Sequence, residues 1–171
     1  PDLDEVIVAT CDYEIEELIR SIGGKAVMTS NKHQRASDRC AEAVNHFENA
    51  NKCSYDIVVM VQGDEPMIHP DMISEAIKPL IEENEVNVTN LLAPFRDKEE
   101  FSDPNSIKVV TNEKMDALYM SREPIPSRAM SDHLGVGKQV CVIPFRRDYL
   151  ERYINLQPTS LEKLESIDML R

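Results

Sequence analysis

Residues 57–61 read Ile-Val-Val-Met-Val, and Gln62, Gly63, Asp64, Glu65 and Pro66 follow directly. Successive side chains of a strand point to opposite faces, so a run that is apolar at every position needs cover on both. The run is too short for a helix and ends in turn residues, which predicts a buried strand. Residues 6–9 form a similar short apolar run, and Lys25–Met28 reads as a further strand.

The segments between these runs carry a different period. Ile15, Leu18, Ile19 and Ile22 recur at helical spacing behind Asp12, a candidate N-cap, and Gly23-Gly24 ends the stretch. Ser37 or Asp38 is expected to cap a second helix whose inner face is Cys40, Ala41, Val44 and Phe47. Pro70-Asp71 opens a third, with Met72, Ile73, Ala76, Ile77 and Leu80 inward and Pro79 kinking its end. Strands alternating with helices predict an α/β fold with a mostly parallel sheet covered on both sides. After Asn105 the pattern changes. Residues 107–111 and 117–120 flank Asn-Glu-Lys-Met-Asp as a hairpin-like pair, and residues 139–145 form one more strand. Helices are expected over 147–155 and 161–171. No internal repeat or low-complexity linker divides the 171 residues, a length that suits one domain.

Composition narrows the partners. Lys and Arg total 19 against 31 Asp and Glu, a net charge of −12 that argues against general affinity for nucleic acid or for an anionic membrane. No run approaches the ~20 apolar residues of a membrane-spanning helix, and no signal peptide is visible. Cys11, Cys40, Cys53 and Cys141 form no CxxC or Cys/His pair at zinc spacing, which favours a reducing, cytoplasmic setting.

Four stretches could carry chemistry. In open α/β sheets, ligands bind beyond the carboxyl ends of strands, where Gln62–Glu65 would lie. Gly63 lets a backbone or phosphate approach, and Asp64 offers hard oxygens suited to Mg²⁺ shared with substrate phosphates. Gly, Asp and Pro are also ordinary turn residues. Residues 33–39, His-Gln-Arg-Ala-Ser-Asp-Arg, open a helix with two arginines, which suits an anionic ligand or simply a solvated loop with an N-cap. Residues 119–128 hold Arg122, able to grip a carboxylate or to pair with neighbouring Glu123. In residues 157–165, Thr159-x-x-Glu162 reads as a capping box, a structural use for Glu162. His46, His69 and His133 show no partner pattern.

Taken in order, "EVIVAT", "IGGKAVMTS", "HQRASDRCAEA", "VQGDEPMI", "DPNSIKVV", "ALYMSREPIP" and "RRDYLERYINLQPTSLEKLESIDMLR" cover nearly the whole chain and resemble the 3-deoxy-manno-octulosonate cytidylyltransferase family. The resemblance implies a three-layer nucleotidyltransferase sandwich with a smaller antiparallel dimerisation part, here residues 105–145. It implies transfer of CMP from CTP to a 3-deoxy-2-keto sugar acid (Kdo or a close analogue), with release of pyrophosphate, for lipopolysaccharide synthesis. It further implies Mg²⁺ as cofactor and a homodimer in the cytoplasm. By the same resemblance, Asp64 is the metal-binding aspartate and Gln62 lies near nucleotide and sugar. Ser37, Asp38, Arg39 and Gly63 serve the nucleotide, and Arg122, Glu162 and Gln139 serve the sugar acid.

Departures accompany the match. Cys11 stands where the family has Asp, and Arg35-Ala36 precede Ser37 in place of a Ser-Gly-like pair. The sugar-pocket pattern H-L-G-x-Y-x-Y is read as replaced by residues 139–145, with loss of an imidazole and an aromatic hydroxyl. That keeps two rivals open: a cytidylyltransferase for a sialic-acid-like nonulosonic acid, and an inactive nucleotide-binding homologue. A glycosyltransferase would need a DxD-type pair, which Asp64-Glu65-Pro66 does not supply. The family's first strand and phosphate-cradling loop are expected before Pro1, and a second metal-binding aspartate after Arg171. A chain lacking them is expected not to turn over.

Overall fold

A computed structural model describes residues 3–127 and 136–171. The chain divides into two compact units, Pro1–Thr89 with Val142–Asn155, and Asn90–Cys141 with Leu156–Arg171.

The first unit contains β1 (Ile7–Thr10), α1 (Tyr13–Ser21), β2 (Lys25–Met28), α2 (Ala36–Asn51), β3 (Ile57–Val61) and α3 (Pro70–Glu82). After β4 (Leu91–Ala93), α4 (Lys98–Ser102), β5 (Lys108–Thr111), β6 (Ala117–Ser121) and β7 (Val136–Val140), which belong to the second unit, it resumes with β8 (Val142–Arg146) and α5 (Arg147–Ile154). β1 and β2 pair in parallel. β3 pairs antiparallel with β8, Val61 opposite Val142 and Ile57 opposite Arg146.

The fold class is α/β, but the mostly parallel sheet is corrected: of five strand pairings among the described residues, only β1–β2 is parallel. An apolar run reports cover on two faces, not direction. α2 and α3 both pack on β3, and α3 and α5 both pack on β8, so an antiparallel pair meets the same demand. Burial within β3 is uneven, Met60 being 4% exposed and Val61 40%. The remaining core of the unit is Ala41, Ala43, Val44, Ala76, Leu80, Val142, Ile143, Phe145, Leu150 and Tyr153.

Asp12 caps α1, accepting from Glu14 N–H at 2.9 Å. The apolar stripe of α1 nevertheless stays largely in solvent, with Leu18 60% and Ile22 71% exposed, because this helix packs mainly on the narrow β1–β2 pair. α2 starts earlier than expected. Its N-cap is Arg35, without a side-chain cap bond, and Ser37 is fully buried in the first turn.

The second unit holds an antiparallel sheet in the order β4-β7-β5-β6, with α6 (Ser160–Glu165) and a 3₁₀ turn, Asp168–Leu170. Val109, Met120 and Ile167 form its core, flanked by Leu92, Ile107, Met169 and Leu170. The hairpin around residues 112–116 is present as β5–β6. The single strand expected over 139–145 is instead two, β7 and β8, because the chain changes unit between Cys141 and Val142. The helix expected over 161–171 breaks at Ser166, whose φ is +53°.

Glu100 binds this unit's turns together. Its carboxylate accepts from Arg96 N–H at 2.7 Å and from Lys138 Nζ at 2.7 Å. The Arg96 N–H bond, then the Lys138 bond, hold its pKa down at about 2. A depressed folded pKa adds stability that is complete above the ordinary carboxyl pKa of about 4.3 and is lost as pH falls toward 2. Glu100→Gln is therefore expected to flatten the fall in urea midpoint between pH 5 and pH 2. A variant curve parallel to the wild type's would remove Glu100 from that role.

Candidate functional site

In the first unit, the carboxyl ends of β1 and β2 are tied together by hydroxyls. Thr29 N–H and Thr29 Oγ1 both donate to Thr10 O, at 2.8 and 3.1 Å. Arg39, from the first turns of α2, donates through Nη1 to Thr29 Oγ1 at 2.6 Å and to Ser30 O at 3.3 Å. Ser37, Asp38 and Arg39 thus occupy one turn of helix at the carboxyl ends of a parallel pair, where helix N–H groups favour an anion.

The loop before α2 is fixed by Glu42, a residue the sequence reading passed over. Its carboxylate accepts from Ser30 N–H at 3.1 Å and bonds His33 Nε2. The His33 bond holds the Glu42 carboxyl below its ordinary range. His46, four residues on, lies 3.9 Å from the same carboxylate. A cavity of about 460 Å³ beside them is lined by His33, Asp38, Glu42, Asn45, His46 and Ile154. The readable signal was the i,i+4 spacing of Glu42 and His46 on a predicted helix.

β3 runs straight into the Gln62–Glu65 turn, closed by Glu65 N–H on Gln62 O at 3.2 Å. Gly63 and Asp64 are exposed, and a Cβ added at Gly63 would meet nothing within 4 Å. The turn therefore stands open to a ligand at the carboxyl end of β3, although the pairing of β3 with β8 is antiparallel. Among the described residues no group of three or more His, Cys, Asp or Glu is arranged to hold a metal ion. One exposed carboxylate fits the donor chemistry of Mg²⁺ that takes most of its oxygens from water and phosphates.

In the second unit, Arg122 N–H donates to Glu165 Oε2 at 2.8 Å. Its guanidinium donates to Glu165 O at 2.6 Å, Pro104 O at 2.9 Å and Ser166 O at 3.2 Å. Gln139 Nε2 donates to Asn90 Oδ1 at 2.6 Å. Glu162 N–H donates to Thr159 Oγ1 at 3.0 Å, the backbone half of the capping box. The Glu162 side chain, 1% exposed, turns inward and pairs with Arg171 at 3.0 Å.

The sugar-pocket pattern also needs a corrected register. His133-Leu134-Gly135 supplies H-L-G, so the imidazole is retained in sequence, and the two tyrosine positions fall on Gly137 and Gln139. His133 lies outside the described residues. At Gly137 a Cβ would meet the Leu92 Cβ at 3.1 Å, so a side chain there would need β4 to give by a few tenths of an ångström.

A family model described as cytidylyltransferase matches residues 1–171. The chain is 38% identical over 180 residues to a 3-deoxy-manno-octulosonate cytidylyltransferase of Geobacter metallireducens, covering 99% of this chain and 68% of that protein. For its counterpart in Geotalea uraniireducens the values are 39% identity over 180 residues, 99% and 69%. A solved structure of CMP:2-keto-3-deoxy-manno-octonic acid synthetase complexed with CTP superposes with a TM-score of 0.84 at 34% identity, covering 98% of this chain and 67% of that one.

Proposed function

The chain belongs to the 3-deoxy-manno-octulosonate cytidylyltransferase family, and from that premise we propose that it transfers CMP from CTP to a 3-deoxy-2-keto sugar acid, Kdo or a close analogue, in lipopolysaccharide synthesis. The anomeric oxygen forms a bond to the α-phosphorus while the bond from that phosphorus to the bridging oxygen breaks. Pyrophosphate leaves with the electron pair, and the hydroxyl proton passes to solvent. The observation that carries this reading is the open Gln62–Glu65 turn, with Asp64 exposed at the carboxyl end of β3, in a chain with these relatives.

The roles follow from chemistry and placement. Asp64 is the residue that would hold Mg²⁺, with Gly63 leaving room for phosphate and Gln62 at the base of the turn. When bound, Mg²⁺ supplies charge neutralisation at the α-phosphate and favours ionisation of the sugar hydroxyl. Ser37, Asp38 and Arg39 serve the nucleotide at the start of α2. Arg122 meets the sugar carboxylate, and Gln139 lies at the sugar side. Glu162 keeps the sugar-side segment folded through Arg171 rather than reaching the substrate itself, as its burial favours.

We read the architecture as a three-layer nucleotidyltransferase sandwich with a smaller antiparallel part that forms a homodimer in the cytoplasm. The likeness to the CTP-bound synthetase supports the first part.

The test is pyrophosphate release by the intact protein with CTP and Mg²⁺, offering Kdo, its amino-sugar analogue and a sialic acid. Release with one sugar is expected and names the acceptor. CTP protection against unfolding with no release from any sugar would make the protein a nucleotide-binding homologue instead.

A further inference from the structure

Arg122 is held on every side by its own unit. Its C=O accepts from Lys108 Nζ at 2.8 Å, and Lys108, fully buried, also donates to Asp103 O at 2.7 Å. Its N–H is taken by Glu165. Its guanidinium rests on three carbonyl oxygens, those of Pro104, Glu165 and Ser166. A guanidinium has five N–H groups, so two remain, one on each terminal nitrogen. Carbonyl oxygens are neutral, so this cradle orients the fork without a carboxylate bonded to it, the Glu165 charge acting on it only from nearby.

Glu165 fixes the strand end from which this fork projects. Besides Arg122 N–H, its carboxylate accepts from Ser121 Oγ at 3.0 Å and from Tyr119 OH at 3.2 Å. It thereby ties successive residues at the end of β6 to the last turn of α6, and it contributes its own C=O to the cradle. Glu165 is half-buried, and none of its three side-chain bonds comes from the guanidinium itself.

Resting on the cytidylyltransferase reading above, we propose that Glu165 is a positioning residue for the sugar-acid substrate: it sets the orientation in which Arg122 presents its remaining N–H groups to the substrate carboxylate. Glu165 does not touch the sugar. Its effect passes through Ser121 and Arg122.

The experiment measures initial rates of pyrophosphate release by the intact enzyme, varying Kdo at saturating CTP and CTP at saturating Kdo, for wild type, Glu165→Gln and Glu165→Ala. Glu165→Gln keeps the side-chain size, so it reports on charge and hydrogen bonding even if the alanine variant folds poorly. Loss of the carboxylate is expected to raise KM for the sugar acid roughly 10- to 100-fold. KM for CTP should change by less than about two-fold, since the nucleotide groups are elsewhere. A second signature is optical. Burial, then the Glu165 charge, raises the Tyr119 pKa, so phenolate absorbance at high pH should appear earlier in Glu165→Gln. Equal rises in both KM values, or an unchanged sugar KM with only a lowered Tm, would overturn the proposal. Wild-type protein that releases no pyrophosphate with any sugar acid would instead overturn the functional reading, and this inference with it.

Discussion

Asp64→Asn should reduce Mg²⁺-dependent pyrophosphate release by about three orders of magnitude while leaving the fold intact. The side chain is exposed on the turn after β3, and surface substitutions of that kind change stability by no more than about 0.5 kcal/mol. The amide keeps the size and one oxygen of the carboxylate but not its charge. Charge is the property needed next to a divalent ion and a polyphosphate. Two readouts separate the possibilities: rate at saturating CTP and sugar, and urea midpoint. A variant that keeps a tenth or more of wild-type turnover would remove Asp64 from the metal role. A variant that loses activity together with several kcal/mol of stability would make it a turn residue.

The second large effect lies in the other unit and concerns stability. Glu162 and Arg171 have side chains 1% and 4% exposed and meet at 3.0 and 3.2 Å. Asp168 adds a further carboxylate 3.8 Å from Arg171. Removing one member of a buried ion pair strands the other charge in a medium that solvates it poorly, at a cost of about 3–5 kcal/mol. Glu162→Ala and Arg171→Ala should each lower the unfolding free energy by that amount, read as a fall in the urea midpoint. The double variant should be less damaging than the sum of the two, because neither Glu162 nor Arg171 is left facing the other's absence. Additive losses would show that the two side chains act separately.

The sequence carried the local features of this protein better than the remote ones. Continuous apolar runs marked β1 and β3, flanking turn residues marked β5, and helical spacing marked α2 and α3, because each depends only on near neighbours. Strand direction was not legible, since the residues opposite β3 are those of β8, on the far side of residues 90–141. β4 and α4 were missed because three and five residues hold too little pattern to stand out. At the candidate site, the Gln62–Glu65 turn could be read from its own residues. The Glu42–His33 bond and the Glu162–Arg171 pair could not. Each joins residues nine apart across a change of direction, the second through the left-handed conformation of Ser166 that folds the chain end back. Glu162 stands in the cap that spacing indicated, with its N–H on Thr159, but its pairing with Arg171 is invisible from spacing alone.

The route of the chain has a consequence for how the protein is made. β3 is synthesised before residues 90–141, and its partner β8 only after them. Until then the growing chain holds an aliphatic strand with that edge unpaired, the kind of surface that draws other unfinished chains together. α3 already packs against β3 and shields part of it. The second unit meets the same delay, because Ile167 and Met169 of its core lie beyond Asn155. The first unit has all its residues only once Asn155 is made and the second only after Leu156–Arg171, so the apolar edges of both must be protected during the wait.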